Sequence, residues 1–287
     1  MRKGELYMGF FEKMFDILNI TFAEAPTLFG VFHIISLVVV AALTFLLCKR
    51  FSMSDDKTLR RLTLVFWIII LVLEIYKQLV YTVTVENGIF TADYQWYAFP
   101  FQFCSSPLYV LPFIAFLPSG RVRNCFIGFM GTFSLFAGLA VMAYPGDVFV
   151  EFVGIDIQTM IHHGSQVVLG IFYTVYHFRH QKGTRRHRFY LGAIAVFGVL
   201  LTVAIILNVT VHAALVKAGI NETFNMFFVS PHFDCTLPVL SVISPLVPYP
   251  VFLFIYVAGF TAVAGIVFCA SLGIDKLITK RKKAYAI

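Results

Sequence analysis

Charge is what this sequence has least of. Only 13% of its 287 residues are Asp, Glu, Lys or Arg, and 59% are hydrophobic. A soluble domain carries about 25% charged residues, so the deficit excludes a water-soluble globule and points to an all-α polytopic membrane protein. The five cysteines, at 48, 104, 125, 235 and 269, show no C-x-x-C spacing. Neither a zinc site nor a disulfide framework is indicated, and no metal or cofactor is expected. G-x-S-x-G, P-loop and H-E-x-x-H signatures are missing, which removes the common serine-hydrolase, nucleotide and zinc-protease readings. No internal repeat argues for an inverted-repeat transporter. The net charge of +7 sits between hydrophobic runs, where it sets topology rather than binding nucleic acid. Nor is there a clean signal peptide: Glu12, Lys13 and Asp16 interrupt the early apolar run, and residues 9–20 read as an amphipathic helix lying on the membrane surface.

What is present is length. Seven stretches, near 30–48, 62–82, 100–117, 124–143, 157–177, 189–211 and 250–272, have the roughly 20 apolar residues a bilayer requires. The connections on one side hold 17 Lys and Arg against four on the other. The positive-inside rule then predicts an outer N-terminus and a cytoplasmic C-terminus. The chain reads as a single bundle: an outer segment 1–29, a seven-span core over 30–272, and a basic tail 273–287. Within the core, the proline-rich outer connection at about 213–249 is too apolar for a solvated loop and too broken for a span. It predicts a re-entrant or interfacial lid, the alternative being a loop lying on lipid.

Polar residues collect in the outer halves of the spans. The sequence Pro100-Phe-Gln-Phe-Cys-Ser-Ser-Pro107 opens the third span with two prolines and four polar side chains. Broken, polar backbone at membrane depth needs cover from protein or a water-filled cavity; a proline-kinked packing helix is the plainer reading. Glu74, Lys77 and Gln78 lie in span two, and the i,i+3 spacing lets the first two neutralise each other. His162, His163 and Gln166 lie in span five, His33 begins span one, and Asn225 lies in the lid. A cavity lined by Glu74, Gln102, His163 and Asn225 is the expectation. A histidine can take a proton from a thiol and return it to a leaving group, so Cys104 with His163 would make an acyl-transfer dyad. A disulfide between Cys104 and Cys235 is the rival use of that thiol, with Ser105 the alternative nucleophile.

Four places carry a family resemblance: His33, Pro100-x-x-x-Cys104, His162-His163, and Asn225 followed by the proline-rich segment to Tyr249-Pro250. In these the chain resembles the YwaF-like family of bacterial integral membrane proteins, itself distantly similar to eukaryotic cysteine-dependent transmembrane phospholipid acyltransferases. The resemblance implies a bacterial cell-membrane location, membrane lipids as partners, and a catalytic histidine at His163. The acyltransferase cysteine directly follows its proline, whereas Phe101 stands there in this chain. The reading is therefore a multi-pass enzyme acting on lipid acyl esters from the outer leaflet, with Gln102, His162 and Gln166 orienting. The rival readings are a transporter or binding protein using Glu74, Lys77 and the histidines without covalent chemistry, and a structural subunit.

Overall fold

The computed structural model of the chain describes residues 3–86, 89–146, 148–181 and 185–284. In order, the elements are α1 (Lys3–Leu18), α2 (Val31–Phe51), α3 (Asp56–Thr82), β1 (Val83–Glu86), β2 (Ile89–Ala92), α4 (Pro107–Phe116), α5 (Arg121–Phe129), α6 (Leu135–Ala143), α7 (Val153–His180), α8 (Arg185–Ala218), α9 (Leu240–Ile243) and α10 (Tyr249–Ala284). The strands form one antiparallel hairpin, Val83 opposite Ala92, a small addition to the all-α expectation. It gives α1 something to pack on: Phe11 and Phe15 meet Phe90 edge to face.

Among the described residues, five helical stretches are long and apolar enough to cross a membrane: Val31–Phe51, Asp56–Thr82, Arg121–Ala143, Arg186–Ala218 and Tyr249–Ile278. Two of the seven expected spans take other forms. The third is α4, 10 residues long, about 15 Å, half a bilayer core. The fifth is α7, whose 28 residues give ample length but include buried Asp156, Gln158, His162, His163, Gln166 and His177. This helix has no need of an apolar surface, because α2, α3, α5 and α6 pack around it. It is the axis of the fold.

Small residues set the helix spacing. A Cβ on Gly128 would fall 2.2 Å from the Phe189 carbonyl oxygen, so α5 and α8 meet backbone to backbone. A Cβ on Gly138 would lie 2.7 Å from Gln166 Cβ and 2.8 Å from the His163 carbonyl, which draws α6 onto the histidine turn of α7. Between α5 and α6 the helix makes one π turn over Met130–Ser134, buried throughout.

At the basic end, Asp55 caps α3 through Thr58 N at 2.9 Å, which starts the helix ahead of its apolar stretch. Asp56 pairs with Arg60 at 2.7 Å and with buried Arg123. Arg60 also donates to the Ala115 and Leu117 carbonyls, closing the end of α4. Arg2 and Lys182, two of the orienting charges, lie outside the described residues.

The long connection after α8 divides in two: its first part packs into the bundle, whereas Val239, Val242 and Leu246 further on are exposed. Phe224, Met226, Phe227 and Val229 are buried in the bundle. Phe227 and Phe228 are both left-handed, φ 57, a conformation that costs a bulky residue about 1–2 kcal/mol. Something must hold them there.

Candidate functional site

The site begins with a helix that starts late. A single 3₁₀ turn, Phe103–Ser105, precedes α4, and Pro107 occupies the first turn of that helix. In a continuous helix the Cys104 carbonyl would accept from the Leu108 amide. Here two side chains of α7 take it: His162 Nε2 at 2.9 Å and Gln166 Nε2 at 2.6 Å. Pro112 breaks a second backbone bond by lacking an N–H. The carbonyl it strands, Leu108, accepts from Trp67 Nε1 at 3.0 Å. Both gaps in the backbone are closed by side chains from neighbouring helices.

The histidine pair is differentiated by carbonyls. A carbonyl only accepts, so His162 carries its proton on Nε2 and its lone pair on Nδ1. His163 Nδ1 lies 2.8 Å from the Thr159 carbonyl, so its proton is on Nδ1 and its lone pair on Nε2. Their rings sit 5.7 Å apart. It is His162, rather than His163, that reaches the Cys104 turn by hydrogen bond. Among the described residues no hydrogen bond joins the Cys104 thiol to either ring.

On α3, Glu74 is buried, and its Oε1 pairs with Lys77 Nζ at 2.7 Å and accepts from Gln78 Nε2 at 2.8 Å. Gln78 Nε2 also lies 2.8 Å from the Ala98 carbonyl, fixing the approach to the third segment. The self-pairing expected from i,i+3 spacing is what forms. Glu74, Lys77 and Gln78 thus form one polar group on α3, tied through the Ala98 carbonyl to the segment that leads into the Cys104 turn.

Gln102 and Asn225 belong elsewhere, in a clasp. Gln102 Nε2 donates to the Asn225 carbonyl at 3.0 Å, and its Oε1 accepts from Phe227 N at 3.0 Å. Asn208 on α8 does the same to Met226, donating at 2.9 Å and accepting at 2.7 Å. Asn225 spans its own loop, bonding Asp234 O and Ser230 N. These amides hold the left-handed phenylalanines in place. The role of Asn208 escaped the sequence reading; the only trace was a lone amide at the end of an apolar span.

His33 stands apart. Its Nδ1 accepts from Phe29 N at 3.0 Å and its Nε2 donates to Met142 O at 2.9 Å, tying α2 to the end of α6 with no lone pair to spare. Cys104 and Cys235 are free thiols, so the alternative disulfide is not formed. Grooves of about 330 and 630 Å³ lie against Trp96 and Ala214, and against Tyr190 and Cys269. Neither of these two borders Glu74, Gln102, His163 or Asn225. Ser105 is buried beside Cys104.

A family model described as the TMEM164 family matches residues 28–270, a range that contains every side chain named in this site. No curated protein and no solved structure matches the chain.

Proposed function

The chain belongs to the TMEM164 family, a family of transmembrane proteins, and from that premise we propose a membrane enzyme that transfers or hydrolyses lipid acyl esters. Cys104 is the nucleophile, His163 the base, and Ser105 the alternative nucleophile. The observation that carries the reading is the Cys104 turn: a free thiol at the start of α4, with its carbonyl held by His162 and Gln166. The resemblance to cysteine-dependent acyltransferases supports the same chemistry. The thiol gives its proton to the His163 Nε2 lone pair and Sγ attacks the ester carbonyl. The C–O bond then breaks, the proton leaves with the alcohol oxygen, and a thioester remains.

In this reading the substrate enters by movement of the 224–229 lid. Its two left-handed phenylalanines release strain on opening, while the Gln102 and Asn208 clasps oppose it. A closed lid excludes water and favours transfer over hydrolysis. The proposed setting is a bacterial cell membrane, crossed seven times, with the N-terminus and lid outside. Reporter fusions after Phe51, Gly120 and Lys283 then read cytoplasm and a fusion at Gly219 reads outside; one reversal removes the outer-leaflet assignment.

An acyl-chain probe tests the chemistry. Purified protein is expected to carry a hydroxylamine-sensitive thioester that Cys104→Ala abolishes and His163→Ala strongly reduces. Loss of label only in Ser105→Ala moves the nucleophile by one residue. No acylation, with a solute flux that depends on Glu74, replaces the enzyme with a transporter.

A further inference from the structure

Among the described residues, four buried polar atoms on the Cys104 turn and on the helices α3 and α7 beside it have no hydrogen-bond partner: Glu74 Oε2, Ser106 Oγ, His162 Nδ1 and Gln166 Oε1. Their residues keep 4, 2, 3 and 1% of their surface. An unpaired buried polar atom costs about 1–3 kcal/mol, and native proteins rarely leave several together without a bound group. The set is one-sided. A carboxylate oxygen and an amide oxygen can only accept. His162 Nδ1 must accept too, because the proton is on Nε2 against the Cys104 carbonyl. Gln166 cannot turn its amide round, since its nitrogen is held by the same carbonyl at 2.6 Å. Only Ser106 has a proton to give.

We infer that the Cys104 turn holds a hydroxyl group, whose single proton is donated to the unpaired Nδ1 of His162. An anion such as a phosphate would set acceptors against acceptors. The nearby ammonium that could offset this, on Lys77, is already paired with Glu74 Oε1 at 2.7 Å. A hydroxyl supplies the missing proton and can in turn accept from Ser106. Water and the free hydroxyl of a lipid share this chemistry.

The consequence rests on the acyl-transfer reading. There the hydroxyl is the acyl acceptor: its oxygen bonds to the thioester carbonyl carbon and the C–S bond breaks. Its proton passes to a histidine lone pair and then to the departing sulfur, restoring the thiol. Water yields a carboxylic acid and a lipid hydroxyl yields an ester. His162 thereby has a task distinct from that of His163, holding the acceptor by the nitrogen that faces away from the Cys104 carbonyl.

The test needs no turnover. Protein with ¹⁵N-labelled histidine is placed in phosphatidylcholine bilayers, with and without a lysophospholipid bearing a free glycerol hydroxyl. The His162 signals are assigned by their loss in His162→Asn. An unprotonated Nδ1 in contact with water protons, or with lysolipid protons once that lipid is added, is the expected result and separates the two sources. A protonated Nδ1, or a lone pair with no proton near it, overturns the inference. Acylation of Cys104 is followed on the same samples. Label on Cys104 with a bare Nδ1 removes only the hydroxyl site. An occupied Nδ1 without label keeps the site and removes the acyl chemistry.

Discussion

Gln166 donates to the Cys104 carbonyl at 2.6 Å, and this bond fastens the break at the start of α4 to the central helix. His162, one turn earlier on α7, shares the same acceptor at 2.9 Å. The geometry of the Cys104 turn is thus set by α7, and whatever shifts that helix shifts the thiol.

Gly138 is where such a shift is easiest to force. A methyl group there meets Gln166 Cβ at 2.7 Å and the His163 carbonyl at 2.8 Å, and backbone cannot step aside as a flexible side chain can. Gly138→Ala is expected to cost about 1–3 kcal/mol by overpacking and to lower the acylation of Cys104 more than a remote variant of equal stability. Thermal melts in detergent, paired with probe labelling, check both. Unchanged stability would mean α6 has room to retreat.

Gln102 is expected to act on the lid and not on the chemistry. Gln102→Ala removes two bonds to the 225–227 backbone and leaves a buried carbonyl and amide unpaired, about 1–3 kcal/mol in all. Amide exchange across 225–230 should accelerate while that of α7 stays the same. Equal acceleration everywhere would make Gln102 a general stability residue.

The spans were legible because lipid demands apolar length, and α2, α3, α8 and α10 announce themselves that way. The character of α7 was not, since a helix wrapped by other helices is freed from that demand. The polar residues of the site could be named and given a shared depth, but depth does not fix register. Which histidine reaches Cys104 depends on rotations of α7 that no single sequence encodes. The clasp was hidden for a related reason: Gln102 and Asn225 are far apart in the chain, and both read equally well as lining a cavity.

Arg123 at the basic end is buried, with only 5% of its side chain exposed, whereas its partner Asp56 keeps 39%. Breaking a fully buried pair costs about 3–5 kcal/mol; solvent screening at Asp56 brings the expectation for Arg123→Met to about 1–3 kcal/mol. Denaturation in mild detergent measures it. Because Asp56 also holds Arg60, which still neutralises it when Arg123 is lost, the cost should grow when Arg60 is already replaced.

The connection after α8 carries its own pH dependence. His232 stacks on His212 of α8, ring centroids 3.9 Å apart. Burial, and then the neighbouring His212, lowers its pKa below the ordinary 6.5. A depressed histidine pKa favours the neutral form in the closed state. The stack therefore contributes fully above about 6.5, and its contribution is lost as pH falls through the lowered pKa. Proteolysis near 230–235 is expected to be faster at pH 5 than at pH 7.5, with much of the difference removed by His232→Phe. A pH-independent rate in the parent protein would show that the stack does not hold the lid.

Trp67 and Pro112 offer the sharpest test of how the broken third segment is kept in the bundle. Proline at 112 removes the amide that would serve the Leu108 carbonyl four residues earlier, and Trp67 Nε1 replaces it at 3.0 Å. Trp67→Phe keeps the ring and discards the donor, so the carbonyl is stranded at a cost of about 1–3 kcal/mol. Pro112→Ala restores the backbone amide. If the indole is there for that carbonyl, Trp67→Phe should cost markedly less in the Pro112→Ala background, with a coupling of about 1 kcal/mol or more. Equal costs in the two backgrounds would mean that Trp67 contributes by packing on Phe116, which its ring meets edge to face at 6.5 Å. The carbonyl would then be served by another donor.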